Sequence, residues 1–168
     1  LFARWLAGHR LRSNASPTAP PWTSFVRVRN RSWFHDRPER IGVKVVVSGS
    51  EVTVDLTDSP PQRPNALNTP YGGSTCVGVY SLFRTLLLDT ALAKLYIPAN
   101  SGAFRPIEVV APEGTIFNPR FPAATQIRFN PINRVADLIL QALAPVMPDR
   151  ITAGNSAQLN GMYMSGWY

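Results

Sequence analysis

The sequence predicts an α+β fold in which a β-hairpin and short strands pack with two main helices and long loops rich in proline and asparagine. Three observations support this prediction: runs of alternating apolar residues, longer runs with apolar residues three and four positions apart, and 16 prolines spread over 168 residues. Alternation is typical of half-buried strands, three- and four-residue spacing is typical of amphipathic helices, and scattered prolines interrupt long regular elements. The hydrophobic fraction of 45% indicates a chain with a core.

The hairpin is predicted over residues 41–57. Residues 48–50 (SGS) separate two alternating runs, and a short glycine-containing connection between such runs is typical of a β-hairpin. The alternating apolar residues are Ile41, Val43, Val45, Val47, Val52, Val54 and Leu56. A further short strand is predicted over residues 107–111, between turns at 100–102 and 112–114.

Two helices are predicted, over residues 74–93 and from Asn130 to just before Pro145. Asn130 is predicted to be the N-cap of the second helix, with Pro131 at its first position. The predicted inward stripe of the second helix comprises Ile132, Val135, Ala136, Ile139 and Leu143. The single cysteine, Cys76, is predicted to be a small core residue rather than a catalytic thiol. One cysteine excludes an intrachain disulfide, which favours a reducing, cytoplasmic compartment.

Positive charge is concentrated in the first part of the chain. Residues 1–40 contain eight of the 17 basic and two of the 10 acidic residues, so their net charge is +6 and that of the remainder is +1. An arginine-rich arm with Trp5, Trp22 and Trp33 would suit nucleic acid, but the nearly neutral body does not support that interpretation. We therefore predict a basic leader over 1–40, disordered or non-native, and a domain over 41–168.

The common catalytic constellations are not found in the sequence of the body. Both histidines, His9 and His35, lie in the predicted leader, so no histidine-based metal site or catalytic triad is expected over 41–168. The sequence has no glycine-rich phosphate loop, and no apolar run reaches the roughly 18 residues that a membrane-spanning helix needs. Asparagines in loops usually serve turns and caps, whereas an arginine can bind a carboxylate or phosphate in bidentate fashion.

Several segments are similar, in the same order, to motifs of one protein family. Residues 52–62 (VTVDLTDSPPQ) followed by 65–68 (NALN) resemble VDFTGSSPQ…GPIN, and residues 97–107 (IPANSGAFRPI) resemble IPLNAGCLRPI. Residues 110–119 (VAPEGTIFNP) resemble APEGSLLNP, and shorter similarities follow over 134–150. These are motifs of the hydantoinase B/oxoprolinase family. The resemblance extends over about 110 residues and implies an internal fragment of a larger subunit.

Two further segments favour one branch of that family. Residues 124–134 (ATQIRFNPINR) and 151–157 (ITAGNSA) look more like the acetone and acetophenone carboxylases. The chain also lacks the GN-x-ET segment that typical hydantoinase and oxoprolinase members have before the second helix. The resemblance therefore leans towards a carboxylase-type subunit.

The resemblance implies an enzyme in two parts. A hydantoinase A-type subunit uses ATP to phosphorylate the substrate or bicarbonate. The B-type subunit then completes lactam hydrolysis or ketone carboxylation with a divalent metal. The family's metal ligands lie ahead of the hairpin, so this chain is expected to bind neither metal nor cofactor and to be inactive alone, within a hetero-oligomer.

The resemblance also suggests which residues lie on the substrate side, and leaves a second interpretation open. The candidates are polar residues in the matching loops: Asn68, Asn100, Arg105, Arg128 and Asn133. The alternative is a non-catalytic assembly module, or a truncated protein that has lost the metal site.

Overall fold

The structure, a computed structural model, describes the backbone of residues 23–28 and all of residues 39–87 and 97–155. Its centre is a four-stranded sheet in the order β1-β2-β3-β4. The strands are β1 (Thr23–Val28), β2 (Glu39–Ser48), β3 (Glu51–Asp55) and β4 (Ile107–Val110). The first three strands are antiparallel neighbours, and β4 runs parallel to β3.

The helices lie between and after the strands. A single π-helical turn, Tyr71–Thr75, leads directly into the first helix, and a short 3-10 turn, Pro148–Arg150, follows the last. The helices are α1 (Cys76–Leu87), α2 (Ser101–Phe104) and α3 (Phe129–Leu143). Two main helices, a hairpin and short strands confirm the predicted α+β class.

The hairpin follows the alternation of the sequence. The odd-numbered apolar residues of β2 from Ile41 to Val45 are buried, as are Val52, Val54 and Leu56 on the other arm. Val47 is the exception, because it lies next to the turn and is 36% exposed. The predicted strand over 107–111 is confirmed as β4, with Ile107 and Val109 in the core.

Helix α3 packs against β1, β2 and α1, and the core lies between these elements. Val135, Ile139 and Leu143 of the predicted stripe are buried, whereas Ile132 and Ala136 are half-buried. Gly78 of α1 is needed where the two helices meet, because a Cβ there would lie 2.3 Å from Cγ1 of Ile132. Close packing of this kind leaves no room for even one methyl group.

The predicted start of the second helix is wrong. Helix α3 begins at Phe129, and Arg128 occupies the N-cap position without a side-chain capping bond. The backbone N–H of Asn130 donates to the Ile127 carbonyl (3.1 Å), so helical winding begins upstream of the predicted cap. Pro131 remains acceptable because it lies in the first turn, where its missing N–H costs no helical bond.

Three other predictions concern the first helix, Cys76 and the boundary of the leader at residue 40. The first helix is confirmed over Cys76–Leu87, while residues 88–93 of its predicted span lie outside the described residues. Cys76 is 7% exposed, as expected of a core residue. Strand β1 lies inside segment 1–40 and was not predicted; the domain boundary at residue 40 stays a prediction. No helix in the described part of the chain is long and apolar enough to cross a membrane.

Tyr71 joins the start of α1 to β4. Its hydroxyl donates a hydrogen bond to the Val109 carbonyl (2.6 Å). Burial, and secondly the neighbouring Cys76 thiol, raise the pKa of Tyr71 to about 12. The phenol of Tyr71 therefore keeps its proton more strongly in the folded protein than in the unfolded chain.

This pKa predicts a loss of stability in alkali. The contribution of Tyr71 is complete below its unfolded pKa of about 10 and is lost as the pH rises through about 12. Urea unfolding across this pH range should show that the free energy of unfolding falls more steeply with pH for the wild type than for Tyr71→Phe, which cannot ionise. Equal slopes of this free energy against pH for the two proteins would contradict the raised pKa of Tyr71.

Candidate functional site

The loops that follow β3 and β4 lie side by side. Because these strands are parallel, their carboxyl ends meet at one edge of the sheet, where ligands bind in many open sheets. Backbone bonds continue the pairing beyond the strands, with Leu56 N–H donating to the Val110 carbonyl (2.8 Å) and Ile116 N–H to the Pro60 carbonyl (3.1 Å). We call residues 55–69 and 111–128 the carboxyl edge.

A cleft of about 340 Å³ opens beside β2 and the end of β3. It is lined by Gly42, Val43, Lys44, Asp55, Thr57 and Asp58. Its volume falls in the range of small-molecule sites, roughly 300–1,000 Å³. The described residues that line this cleft therefore form a candidate site.

Local backbone geometry builds the wall of this cleft. The Asp55 carboxylate accepts a hydrogen bond from Thr57 N–H (2.9 Å), which turns the chain immediately after β3. Gly42 N–H then donates to the Asp58 carbonyl (3.1 Å), so the turn lies directly over β2. A Cβ at Gly42 would lie 2.7 Å from that carbonyl oxygen, and only glycine permits this approach without a shift.

The side chains of the cleft offer both donors and acceptors. Lys44 and Asp55 are direct partners across the β2–β3 pair, and Asp58 and Thr57 follow on the turn. An ammonium group donates three hydrogen bonds, the two carboxylates accept, and the threonine hydroxyl does both. The lining of the cleft therefore contains both donors and acceptors of hydrogen bonds.

The charged residues of the cleft were not among the site residues predicted from the sequence. Asp55, Thr57 and Asp58 belong to the VDLTD part of the first motif, but the motif does not show that the turn folds back over Gly42. Gly42 could have indicated the cleft from the sequence, because a glycine within an alternating strand often marks a place where another backbone segment approaches closely.

Asn68, a predicted site residue, lies at the carboxyl edge and is completely buried. Its side-chain amide donates to the carbonyls of Arg63 (2.8 Å), Asn65 (2.9 Å) and Ala124 (2.9 Å). Its side-chain oxygen accepts from Arg63 N–H (2.8 Å). These bonds hold the loop after β3 against the loop before α3, so the structure gives Asn68 an organising role.

Arg128 lies at the same edge as Asn68. Its guanidinium carbon lies 4.7 Å from the centre of the Phe129 ring, an arrangement that favours a cation–π contact. Thr69, next to Asn68, donates from its hydroxyl to the Arg128 carbonyl (3.4 Å). The structure thus places these two predicted residues at the same edge, linked through the Thr69 hydroxyl rather than by a direct contact.

The other predicted residues lie elsewhere. Asn100 and Arg105 precede β4, so they are separated from the carboxyl edge by the length of that strand, roughly 10 Å at 3.3 Å per residue. Asn100 caps α2 by accepting from Ala103 N–H (3.2 Å), and Arg105 is exposed. Asn133 is half-buried in α3. A substrate contact by any of the five stays a prediction.

The described residues do not fit a divalent metal ion. Within residues 39–87 and 97–155, no group of three or more histidine, cysteine, aspartate or glutamate side chains is arranged to hold one. Asp55 and Asp58 of the cleft are only two carboxylates, and Lys44 opposes them. We therefore assign no metal-dependent step to these residues.

Comparison with known proteins identifies the relatives of the chain. It is 47% identical over 116 residues to the B subunit of a putative D-/L-hydantoinase from Pseudomonas sp. (strain NS671), a match that covers 68% of this chain and 19% of that protein. It is 33% identical over 124 residues to the beta subunit of the caprolactamase of Pseudomonas jessenii, covering 71% and 20%. An uncharacterized protein of Methanocaldococcus jannaschii is 28% identical over 134 residues, covering 79% and 23%.

The chain therefore spans about a fifth of the length of these curated relatives. Residues 17–168 match the sequence profile of hydantoinase B/oxoprolinase, which includes part of the segment predicted as a leader. The profile covers most of the chain and, with the two relatives above 30% identity, confirms the resemblance found in the motifs. The chain belongs to the hydantoinase B/oxoprolinase family.

Proposed function

We propose that this chain is part of the B-type subunit of an ATP-dependent enzyme that opens a cyclic amide by hydrolysis. The observation that carries the proposal is the 47% identity over 116 residues to the B subunit of a putative D-/L-hydantoinase. The similarity to the beta subunit of a caprolactamase supports the same chemistry, because hydantoins and caprolactam are both rings that contain a C(=O)–NH bond.

The proposed enzyme needs a second protein. The hydantoinase and caprolactamase relatives are both named as subunits, which supports a multi-subunit complex. We propose a hydantoinase A-type subunit that uses ATP and a hetero-oligomeric complex in the cytoplasm, where ATP is available. The divalent metal of the complete enzyme would be held by residues outside the described ranges.

In this proposal, the cleft beside β3 binds the amide edge of the ring. The Lys44 ammonium donates to the ring carbonyl, and the carboxylate of Asp55 or Asp58 accepts from a ring N–H. Hydrolysis breaks the C–N bond: the oxygen of one water adds to the carbonyl carbon and a proton goes to nitrogen, while ATP and a second water yield ADP and phosphate. Binding both sides of the amide orients the bond that breaks.

A second candidate is the carboxylation of a ketone. Residues 124–134 and 151–157 look like those of ketone carboxylases, and the structure brings parts of both segments together. The buried Asp137 carboxylate accepts from Arg134 (3.1 Å) and from the backbone (3.3 Å) and side chain (3.1 Å) of Asn155. A non-catalytic assembly module is the remaining alternative.

An assay of the complete enzyme separates these candidates. The complete B-type subunit, combined with its A-type partner and ATP, should convert a hydantoin or caprolactam to the ring-opened acid, measured by chromatography alongside ADP. Turnover only with acetone and bicarbonate would favour carboxylation. Substrate-independent ATP use, or none, would contradict the proposed function.

A further inference from the structure

The two carboxylates of the cleft differ in what they already bind. Oδ1 of Asp55 accepts from the Thr57 N–H (2.9 Å), so this carboxylate is engaged in forming the turn after β3. Asp58 is exposed, and within the described part of the chain no hydrogen bond or ion pair reaches its carboxylate. Asp58 is therefore the carboxylate of the cleft with both oxygens available to a ligand.

Gly42 determines where the Asp58 carboxylate lies. The N–H of Gly42 donates to the Asp58 carbonyl (3.1 Å), so the backbones of the two residues are in direct contact. A Cβ on Gly42 would lie 2.9 Å from Cβ and 3.0 Å from Oδ2 of Asp58. The Asp58 side chain thus packs against the Cα of Gly42, at a distance from β2 that no larger residue allows.

The core holds both sides of this contact in place. Ile41 and Val43, on either side of Gly42, are each 1% exposed, and Leu56, just before the turn, is completely buried. Moving β2 would disturb these side chains, which are packed too closely to shift without cost. A methyl group on Gly42 would therefore displace the exposed turn, and the Asp58 carboxylate would move with it.

We propose that Asp58 is the carboxylate that accepts from the ring N–H of the cyclic amide, and that Gly42 is a positioning residue that holds Asp58 at the cleft. Asp55 forms the turn and lies opposite Lys44 across the strand pair. Asp58 can direct either oxygen to a ring N–H, whereas the bond to the turn fixes the orientation of Asp55. This inference rests on the proposed function and specifies which carboxylate of the cleft binds the substrate.

Kinetics of the complete two-subunit enzyme with a hydantoin test the choice of carboxylate. Asp58→Asn should lower kcat/KM about thirtyfold, as for the loss of a hydrogen bond to a charged group. Asp55→Asn should lower it less, because the asparagine side-chain oxygen still accepts from the Thr57 N–H. An equal or larger loss for Asp55→Asn, or no loss for Asp58→Asn, would overturn the assignment.

A double-mutant cycle tests the positioning role of Gly42. Gly42→Ala should lower kcat/KM about tenfold in the wild type but less than about twofold in Asp58→Asn, where the bond to the substrate is already lost. The control is Gly73→Ala, because no atom lies within 4 Å of its added Cβ, and its kcat/KM should stay within about twofold. Equal losses for Gly42→Ala in both backgrounds would overturn the positioning role.

A second variant keeps the positioning role testable if Gly42→Ala does not fold. Ser59→Ala removes the hydroxyl that donates to the Gly42 carbonyl (3.5 Å), which loosens the same turn without a clash. Its kcat/KM should fall about threefold, as for a weak hydrogen bond, and only while Asp58 is present. An unchanged kcat/KM would contradict the positioning role.

Failure of this inference can be distinguished from failure of the proposed function. Ring opening that is unaffected by Asp58→Asn would overturn the inference and leave the reaction in place. If the complete enzyme opens no cyclic amide, the proposed function fails, and calorimetry decides the inference by itself. A hydantoin Kd that Asp58→Asn raises and Gly73→Ala does not would then support it, and equal Kd values would overturn it.

Discussion

Replacing Asn68 with alanine is expected to lower the free energy of unfolding by about 3 kcal/mol. The side chain is fully buried and serves four backbone groups, on Arg63, Asn65 and Ala124. Alanine leaves those groups without their side-chain partner. Each buried polar group left unsatisfied costs about 1–3 kcal/mol, and water entering the gap recovers part of that cost.

Urea unfolding measures this effect, with Asn100→Ala as the matched control. Asn100 makes one capping bond on an exposed short helix, so its loss should cost about 1 kcal/mol or less. A cost for Asn68→Ala no larger than that of the control would show that the two loops do not depend on its side chain.

Replacing Lys44 with methionine is expected to lower kcat/KM of the complete two-subunit enzyme about 100-fold. Methionine keeps much of the side-chain volume but removes the ammonium that, in the proposed function, donates to the substrate carbonyl. Losing one such donor from a transition state typically costs two to three orders of magnitude in rate. Asp58→Asn should also lower kcat/KM, because the amide replaces one acceptor oxygen with a donor.

The control for the cleft is Glu108→Gln. Glu108 accepts from the Thr53 hydroxyl (3.1 Å) and carries an exposed carboxylate, but it does not line the cleft. The kcat/KM of the Glu108→Gln enzyme should stay within about twofold of wild type, because substitutions of surface residues outside the site usually have small effects. If Lys44→Met and Glu108→Gln lowered kcat/KM equally, the rate would depend on the charge of the sheet in general and not on substrate binding in the cleft.

Local periodicity was sufficient to predict most of the fold. The hairpin, β4 and the two main helices follow from patterns within a few residues, and the structure confirms them. Strand β1 was not predicted because Thr23–Val28 lacks strict alternation and pairs with β2 across a connection of ten residues. The start of α3 was misplaced because backbone bonds at Asn130 begin the winding before the apparent cap.

The candidate site was harder to predict from the sequence than the fold, because it depends on contacts between residues that are far apart along the chain. The cleft requires the turn at Asp58 to lie over Gly42, and the register between β2 and β3 places Lys44 opposite Asp55. The motifs also do not reveal which end of a strand each loop occupies. The parallel direction of β4 separates Asn100 from Asn68, although both lie in family motifs.

The most direct test of the proposed function is a structure of the complete two-subunit enzyme with a bound hydantoin. The ring should lie in the cleft, with its carbonyl oxygen within hydrogen-bond distance of Lys44 Nζ and a ring N–H facing the carboxylate of Asp55 or Asp58. A ring bound elsewhere, with the cleft filled by other side chains of the same subunit, would contradict the assignment of this site.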